Sequence, residues 1–284
     1  MIKLITVIGH GAELIPHFIK HYEQYVDEIK IVIYKTDKYP NIEDEVRDKI
    51  SQYDFVNVVK VINDRIYDWN KVTFLYNDVK SRYPNDWWVV ADIDEFHLYP
   101  YDNLINIIKI CEENNWELVR GGFIDRIGLD GTFPELNDTS IWEQFPNAGF
   151  FRYPMSDACP NKICILKGNI ELTSGQHYAK IHGVDTWRWQ GWNHPLIAPY
   201  DKFSVQVHHF KWDSTSIERI KNVAAIGQKY AFSDEYAKMY TALSKSKFKV
   251  NITDSKYFFE EGLTYPKFDL YKGWNKLIKK IIST

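Results

Sequence analysis

The chain has 284 residues, of which 45% are hydrophobic and 26% are charged, and its net charge is −3. These values are typical of one large soluble domain or of a domain with an extension. The negative net charge gives general nucleic-acid binding no electrostatic support. The aromatic content of 16% predicts rings that line a partly wet cleft as well as the core.

Strands and helices alternate along the first half of the chain. Apolar strands are predicted at residues 3–8, 28–34, 56–62, 87–92 and 117–123. Helices are predicted between them at residues 12–25, 42–52, 70–82 and 103–113. This alternation predicts an α/β fold with a parallel sheet and right-handed crossovers.

The alternation stops in the second half. Residues 125–212 are rich in Gly, Pro, Asn, Trp and His, with short strands predicted at 162–166 and 203–207. A long irregular stretch in a compact domain is usually functional, so we expect it to form the wall of a binding site. Helices are predicted at residues 216–230 and 233–243.

The end of the chain, residues 271–282, reads as a basic amphipathic helix. We expect it to pack its apolar face on the domain; weak contact with an anionic membrane surface is the alternative. No apolar run approaches the roughly 18–20 residues of a membrane-spanning helix. The N-terminal strand is too short and too β-branched for a signal peptide, and the three cysteines form no Cys-x-x-Cys pair. We therefore expect reduced thiols and a cytoplasmic location.

The most informative segment is the apolar strand at 87–92, because it ends in three carboxylates: Asp92, Asp94 and Glu95. Buried charge is costly unless something neutralises it. Ligands of open α/β sheets bind at the carboxyl ends of the strands, and carboxylate oxygens suit Mg²⁺, Mn²⁺ or Ca²⁺. The segment predicts a metal site; a plain acidic turn that caps the next helix is the alternative.

The turn after the first strand, Gly9-His10-Gly11, is neither Gly-x-Gly-x-x-Gly nor a Walker A sequence, which disfavours a nicotinamide Rossmann domain and a P-loop enzyme. Ile8 and Gly9 could still let a nucleotide base approach the backbone, while a turn that requires positive φ is the structural alternative. Asp68 and Lys71 begin the third helix, whose N-terminus attracts anions. Asp68 fits a donor site or an ordinary N-cap.

Residues 89–96, Val-Val-Ala-Asp-Ile-Asp-Glu-Phe, resemble the (V/I)-D-x-D-E-F segment of GT-A glycosyltransferases. The likeness is to the family-2-like and family-92-like group, which includes enzymes of bacteria and large DNA viruses. Four further stretches look like segments of this group in the same order, and they comprise Gly11 through His21-Tyr22 to Ile29, residues 125–146, residues 175–177 and residues 207–212.

The resemblance spans roughly residues 1–230. It implies a GT-A catalytic domain there, with a Rossmann-like and mostly parallel sheet flanked by helices. A helical extension at 231–284 would pack on that domain, and a viral chain would act in the host cytoplasm.

The resemblance also implies a nucleotide-sugar donor, with UDP favoured, whose diphosphate binds Mn²⁺ or Mg²⁺ on Asp94 and Asp92. In many GT-A enzymes a later His completes the metal shell, and here His209 is placed to do so. His208 is the alternative, although adjacent residues of a strand face opposite sides and only one of the two can reach a metal. Lys211 either adds charge near the leaving diphosphate or is an ordinary solvated lysine.

The acceptor, a glycan or glycoconjugate, must lose a proton, and a carboxylate is the usual base. Asp125 is the first candidate, since Arg126 beside it in sequence would keep it ionised. Glu143 and Asp157 are further candidates, and Asp130, which precedes Gly131, fits a plain turn. Among the Trp-rich residues 187–192, Trp187, Trp189 and Trp192 would form an aromatic platform for the acceptor, with His177 nearby. A packed hairpin or a dimer contact would account for the same residues.

Two other classes of protein fit parts of this pattern. A nucleotidyltransferase also uses paired Asp residues on an α/β sheet, but the first turn lacks the basic residues of its phosphate loop. A non-catalytic carbohydrate-binding protein would use the rings for glycan and the acids for a structural Ca²⁺. Calcium takes about six to eight oxygen ligands, which the acidic turn alone does not supply.

Overall fold

A computed structural model describes residues 1–99, 103–186, 194–199, 205–227, 232–257 and 259. Its helices, numbered in chain order, are α1 (Ile15–Tyr22), α2 (Ile42–Ile50), α3 (Trp69–Ser81), α4 (Leu104–Glu113), α5 (Ile141–Gln144), α6 (Arg152–Ser156), α7 (Ser216–Ile226) and α8 (Ser233–Lys245). Its strands are β1 (Ile2–Ile8), β2 (Glu28–Lys35), β3 (Val56–Asn63), β4 (Trp87–Val90), β5 (Glu95–Leu98), β6 (Leu118–Ile127), β7 (Asn147–Gly149), β8 (Asn161–Lys167), β9 (Glu171–Leu172), β10 (Ala179–Ile181), β11 (Val184–Asp185) and β12 (Val205–His209).

The chain divides into two compact units that alternate along the sequence. The first unit comprises residues 1–121 and 162–205, and the second comprises residues 122–161 and 206–284. The division predicted at residue 230 stays a prediction, because half of the tail beyond it lies outside the described residues.

The first unit is built on a mostly parallel sheet. Its strands lie in the order β3-β2-β1-β4-β8. The first four are parallel to one another, and β8 is antiparallel to β4. The predicted α/β class with a parallel sheet is therefore confirmed at this level, and the arrangement is compatible with a Rossmann-like fold.

Burial explains why these segments form these elements. Six of the seven residues of β1 are buried, as expected of a parallel strand that is covered on both faces. Helix α3 buries Val72, Leu75, Tyr76 and Val79, which recur at the helical spacing of one face. The Asp68 carboxylate accepts hydrogen bonds from the backbone N–H groups of residues 70 and 71. Asp68 is therefore the N-cap of α3.

The second unit contains short elements that the sequence did not predict. Strand β7 pairs antiparallel with the end of β6, and α5 and α6 have four and five residues. Elements this short carry too few residues for a periodic pattern. Helices α7 and α8 pack against each other around a core that includes Trp212, Ile220 and Met239.

Two predicted regions lie outside the described residues. They are the aromatic platform of Trp187, Trp189 and Trp192, and the basic helix at 271–282. Among the helices that are described, none has the length and apolar character needed to cross a membrane.

Candidate functional site

The carboxyl ends of β1, β2, β3 and β4 meet at one edge of the first unit's sheet, because the four strands are parallel. Open α/β sheets bind their ligands at this edge. The acidic turn follows β4 directly, with Asp92 and Asp94 partly buried and Glu95 buried. The next element is strand β5, not a helix. The turn therefore does not cap a helix.

Glu95 fixes the shape of this turn. Its Oε2 accepts a hydrogen bond of 3.0 Å from the backbone N–H of Asp92. This contact orients the acidic turn.

Lys162, at the start of β8, is the positively charged side chain that pairs with the acidic turn. Its ammonium donates to Asp92 Oδ2 at 2.9 Å, to Glu95 Oε1 at 2.8 Å and to Gln176 Oε1 at 3.1 Å. The Lys162 and Glu95 side chains are each 2% exposed, and that of Asp92 is 28% exposed. Burial by itself would lower the pKa of Lys162, but the charges of Asp92 and Glu95 hold it above its usual value. The turn is therefore neutralised in part by the protein itself.

Sequence reasoning missed Lys162. Its signal was a lysine within an otherwise apolar predicted strand, residues 162–166. A buried charge requires a partner, but nothing in the sequence says which carboxylate provides it.

The second oxygen of Asp92 is held by Tyr76 of α3. The Tyr76 hydroxyl donates to Asp92 Oδ1 at 2.7 Å and accepts from the backbone N–H of Val7 at 3.3 Å. Burial raises the pKa of Tyr76, so the hydroxyl remains a donor. Tyr76 thus links β1, α3 and the acidic turn.

Helix α3 also positions Gln176, the third partner of Lys162. Gln176 Nε2 donates to Thr73 Oγ1 at 3.3 Å. Asn77 exchanges two hydrogen bonds, of 2.9 and 2.8 Å, with the backbone of Leu172. His177, the neighbour of Gln176, is partly buried, and its predicted contact with the acceptor stays a prediction.

The His21-Tyr22 pair holds the strand that follows the acidic turn. His21 Nε2 lies 2.9 Å from the carbonyl oxygen of His97 in β5, and burial lowers the pKa of His21 to about 3. The Tyr22 hydroxyl donates to the carbonyl of Glu95 and accepts from the N–H of His97. The pair therefore completes backbone hydrogen bonds of β5 and fixes the C-terminal side of the turn.

The low pKa of His21 predicts a pH dependence of stability. The unfolded chain protonates His21 below its ordinary value near 6.5, whereas the folded protein resists protonation until about pH 3. The free energy of unfolding should fall as the pH drops through this window. His21→Gln keeps a donor for the His97 carbonyl but cannot titrate, so the decline measured by urea unfolding should be shallower. The exposed control His182→Gln should leave the slope unchanged, and an equal slope in all three proteins would contradict the assignment.

Partly exposed aromatic rings surround the turn after β1. The ring of His10 lies 5.7 Å from that of Tyr39 and 6.3 Å from that of Tyr67, and Tyr67 lies 5.0 Å from Trp69. A Cβ on Gly9 would lie 2.7 Å from Tyr67 Cε2. Gly9 is therefore required by the close approach of this ring.

The other residues predicted to bind the nucleotide-sugar donor at this edge have contacts within the protein. Ile8 is fully buried. Lys71 Nζ lies 2.7 Å from Asp64, whose carboxylate also accepts from the Tyr34 hydroxyl at 2.5 Å. Roles of Ile8, Gly9, Asp68 and Lys71 in donor binding stay predictions.

Asp125 is a buried carboxylate of the second unit, and both of its oxygens accept hydrogen bonds. Its Oδ2 accepts from the backbone N–H groups of Phe151 and Arg152, at 3.0 and 2.8 Å, and its Oδ1 accepts from Trp212 Nε1 at 3.1 Å. His209 Nδ1 lies 3.9 Å from Oδ1, and the Asp125 side chain is 1% exposed. Burial would raise the pKa of Asp125, but the interactions with His209 and Arg152 hold it below its usual value.

The pKa of Asp125 is lowered first by its hydrogen bond with His209 and then by the charge of Arg152, not by that of the neighbouring Arg126. Arg126 follows Asp125 in β6 and therefore faces the opposite side of the strand. Its guanidinium lies 5.3 Å from the Trp142 ring and 5.9 Å from that of Phe210. Sequence adjacency thus pointed to the wrong arginine.

His208 and His209 pack against different rings, as the alternation of β12 requires. His208 lies against Trp142, and His209 against Phe123, each at 5.1 Å between ring centroids. His209 belongs to the second unit, and its role as a metal ligand stays a prediction.

Two more predicted residues lie in the second unit. Lys211 is buried, with its ammonium 5.3 Å from the Trp212 ring and 5.0 Å from that of Tyr236. It is therefore not an ordinary solvated lysine. Glu143 lies exposed on α5, and its role as a base stays a prediction, as does that of Asp125.

Asp125→Asn should destabilise the second unit. The amide is uncharged and cannot accept all three N–H donors as well as a carboxylate does, so we expect the free energy of unfolding to fall by about 3 kcal/mol. Urea unfolding followed by tryptophan fluorescence measures the loss. The control Asp130→Asn changes an exposed residue with φ of 58°, a conformation that Asn tolerates, and should shift stability by less than about 0.5 kcal/mol. Equal effects of the two substitutions would contradict the structural role of Asp125.

The acidic turn fits a divalent cation only in a limited way. Both oxygens of Asp92 and both of Glu95 accept hydrogen bonds. Over the ranges that the structure describes, no group of three or more His, Cys, Asp or Glu side chains is arranged to hold a metal ion. Mg²⁺ is often bound through one or two carboxylates plus substrate phosphates and water, and the partly buried Asp94 can supply such a carboxylate. These side chains therefore suit a cation that is also coordinated by substrate phosphates and water.

Comparisons with known proteins do not assign the chain to a family. No protein-family model matches it, and no curated protein matches it significantly. Among solved structures it is similar to mannose-6-phosphate isomerase from Helicobacter pylori, with 14% identity, coverage of 59% of this chain and 71% of that chain, and a TM-score of 0.33. It is also similar to 4-diphosphocytidyl-2C-methyl-D-erythritol synthase, with 11% identity, coverage of 59% and 75%, and a TM-score of 0.31. These TM-scores are too low to support an inference about fold or chemistry.

Proposed function

We propose that the protein is a metal-dependent glycosyltransferase that moves a sugar from a nucleotide-sugar donor, with UDP favoured, to a glycan or glycoconjugate. The observation that carries the proposal is the acidic turn at the carboxyl edge of a parallel sheet, with Asp92 fixed and Asp94 beside it. The order of segments that resemble GT-A glycosyltransferases adds to it.

Departure of a nucleoside diphosphate develops negative charge on the phosphates. A Mn²⁺ or Mg²⁺ ion, when bound, stabilises that charge as a Lewis acid. In this proposal Asp94 holds the ion, while Asp92 and Glu95 keep the turn in one shape through Lys162 and Tyr76. Such rigidity matters because a catalytic group must be held within a fraction of an ångström of its working position.

The nucleobase would lie on the rings that follow β1, β2 and β3. His10, Tyr39, Tyr67 and Trp69 are all partly exposed there. Aromatic rings bind bases by stacking, which contributes about 1–3 kcal/mol per base. Stacking tolerates any base, so the preference for UDP rests on the resemblance alone. Asp125 and Glu143 remain the candidates for the acceptor's base.

Metal-dependent nucleotide binding is the first test. In thermal-shift titrations, Mn²⁺ with UDP, GDP or dTDP should raise the melting temperature for one base more than for the others. Asp94→Asn should remove most of this rise and lower donor hydrolysis and transfer by about 100-fold, since the charge on the leaving phosphates is then poorly compensated.

The control for Asp94→Asn is Asp44→Asn, which changes an exposed acid on α2 and should behave as wild type. No response to any nucleotide, together with binding of free glycans, would favour a carbohydrate-binding protein. Formation of a nucleoside diphosphate sugar from a nucleoside triphosphate would favour a nucleotidyltransferase.

The aromatic site can be tested separately. Tyr39→Ala removes a partly exposed ring at the ligand edge and should weaken nucleotide binding by about tenfold, the loss expected for one stacking contact. Isothermal titration with UDP and Mn²⁺ measures the change. The matched control Tyr53→Ala removes a partly exposed ring that precedes β3, at the opposite edge of the sheet. Equal losses in both variants would place the base elsewhere.

A further inference from the structure

We propose that Lys162 is a permanent counter-ion of the acidic turn. Its ammonium occupies the space between Asp92 and Glu95, so a divalent cation binds at the turn only when nucleotide phosphates and water supply further ligands. The inference deepens the proposed function and rests on it for the role of the metal. It concerns the first unit alone, where all of the residues involved lie.

The ammonium is fully committed to this cluster. A lysine has three N–H donors, and those of Lys162 are met by oxygens of Asp92, Glu95 and Gln176 at 2.9, 2.8 and 3.1 Å. The side chain is 2% exposed. Lys162 is therefore not a mobile arm that could reach a substrate phosphate, and its role is to position the carboxylates.

The position of the ammonium excludes a metal that bridges the same carboxylates. Nζ lies within 2.9 Å of one oxygen of each, which is the place that a bridging cation would take at about 2.0–2.6 Å from the same oxygens. A divalent ion there would have to displace a buried positive charge. The remaining oxygens of the two side chains accept from Tyr76 and from the backbone of the turn.

The consequence is that metal binding is coupled to nucleotide binding. Without nucleotide, Lys162 already neutralises the Asp92–Glu95 pair, so this pair is not available to a metal. With a nucleoside diphosphate, phosphate oxygens and water supply the missing ligands, and the metal and nucleotide bind together. Such coupling would keep the metal from binding as a permanent structural ion.

The test measures Mn²⁺ binding by electron paramagnetic resonance, without nucleotide and then with UDP. Wild-type protein should bind Mn²⁺ weakly alone and at least tenfold more tightly with UDP. Lys162→Met frees the carboxylate pair and should bind Mn²⁺ alone at least tenfold more tightly than wild type. The matched control Lys167→Met removes a lysine from the same strand, whose ammonium lies 3.4 Å from the exposed Glu112, and should show no gain.

Lys162→Met leaves Asp92 and Glu95 without their cation, so its fold is checked by circular dichroism with and without Mn²⁺. Folding that requires Mn²⁺ would support the proposal, because the metal then replaces the ammonium. The double variant Lys162→Met with Glu95→Gln removes one charge of each sign and should fold without binding Mn²⁺ more tightly than wild type.

Two results would overturn the proposal. One is tight Mn²⁺ binding by nucleotide-free wild-type protein that Asp92→Asn abolishes. The other is a folded Lys162→Met protein with no gain in Mn²⁺ affinity. If Mn²⁺ and UDP together fail to bind wild-type protein, the glycosyltransferase proposal fails, while the gain in Lys162→Met still decides the role of the lysine.

Discussion

The structure of the acidic turn depends on one buried ammonium. Asp92 and Glu95 place two negative charges next to each other, and burying charge is costly unless a positive charge is paired with it. Lys162 supplies that charge. The turn can therefore present Asp94 from a rigid base, and the remaining contacts of the site hold this ion cluster in place.

Helix α3 is the element that connects the cluster to the sheet. Tyr76 reaches Asp92 and β1, while Thr73 and Asn77 fix the segment that carries Gln176. On the other side of the turn, His21 and Tyr22 hold the backbone of β5. Helices α1 and α3 thus fix the two sides of one short turn. Without such contacts, a loop at the edge of a sheet would be more mobile.

In the second unit, a buried carboxylate instead of a buried ammonium holds the neighbouring groups in place. Asp125 is buried and ionised, and it organises Trp212 and the start of α6 through three N–H groups. A carboxylate so completely hydrogen-bonded is well suited to positioning its neighbours. Its proton affinity is low, so it would accept a proton from an acceptor less readily than an ordinary carboxylate.

The sequence by itself determined the alternation of β1, β2, β3 and β4 with α1, α2 and α3, the parallel sheet and the place of the acidic turn. These features follow from the spacing of apolar residues, which is a property of each segment's own sequence. The sequence offered two interpretations of Asp68, a donor site and an N-cap, and the structure shows that it caps α3. The sequence did not predict the short strands β5, β7, β9, β10 and β11 or the short helices α5 and α6, because elements of so few residues show no periodic pattern.

Only the tertiary structure decided how the buried charges are paired. Lys162 lies 70 residues from Asp92 along the chain, and the groups that lower the pKa of Asp125 are His209 and Arg152, not its neighbour Arg126. Charge pairing depends on distance in space, and the alternation of a strand sends adjacent side chains to opposite faces. For that reason the sequence located the carboxylates, while the fold alone determined which cations and N–H groups neutralise them.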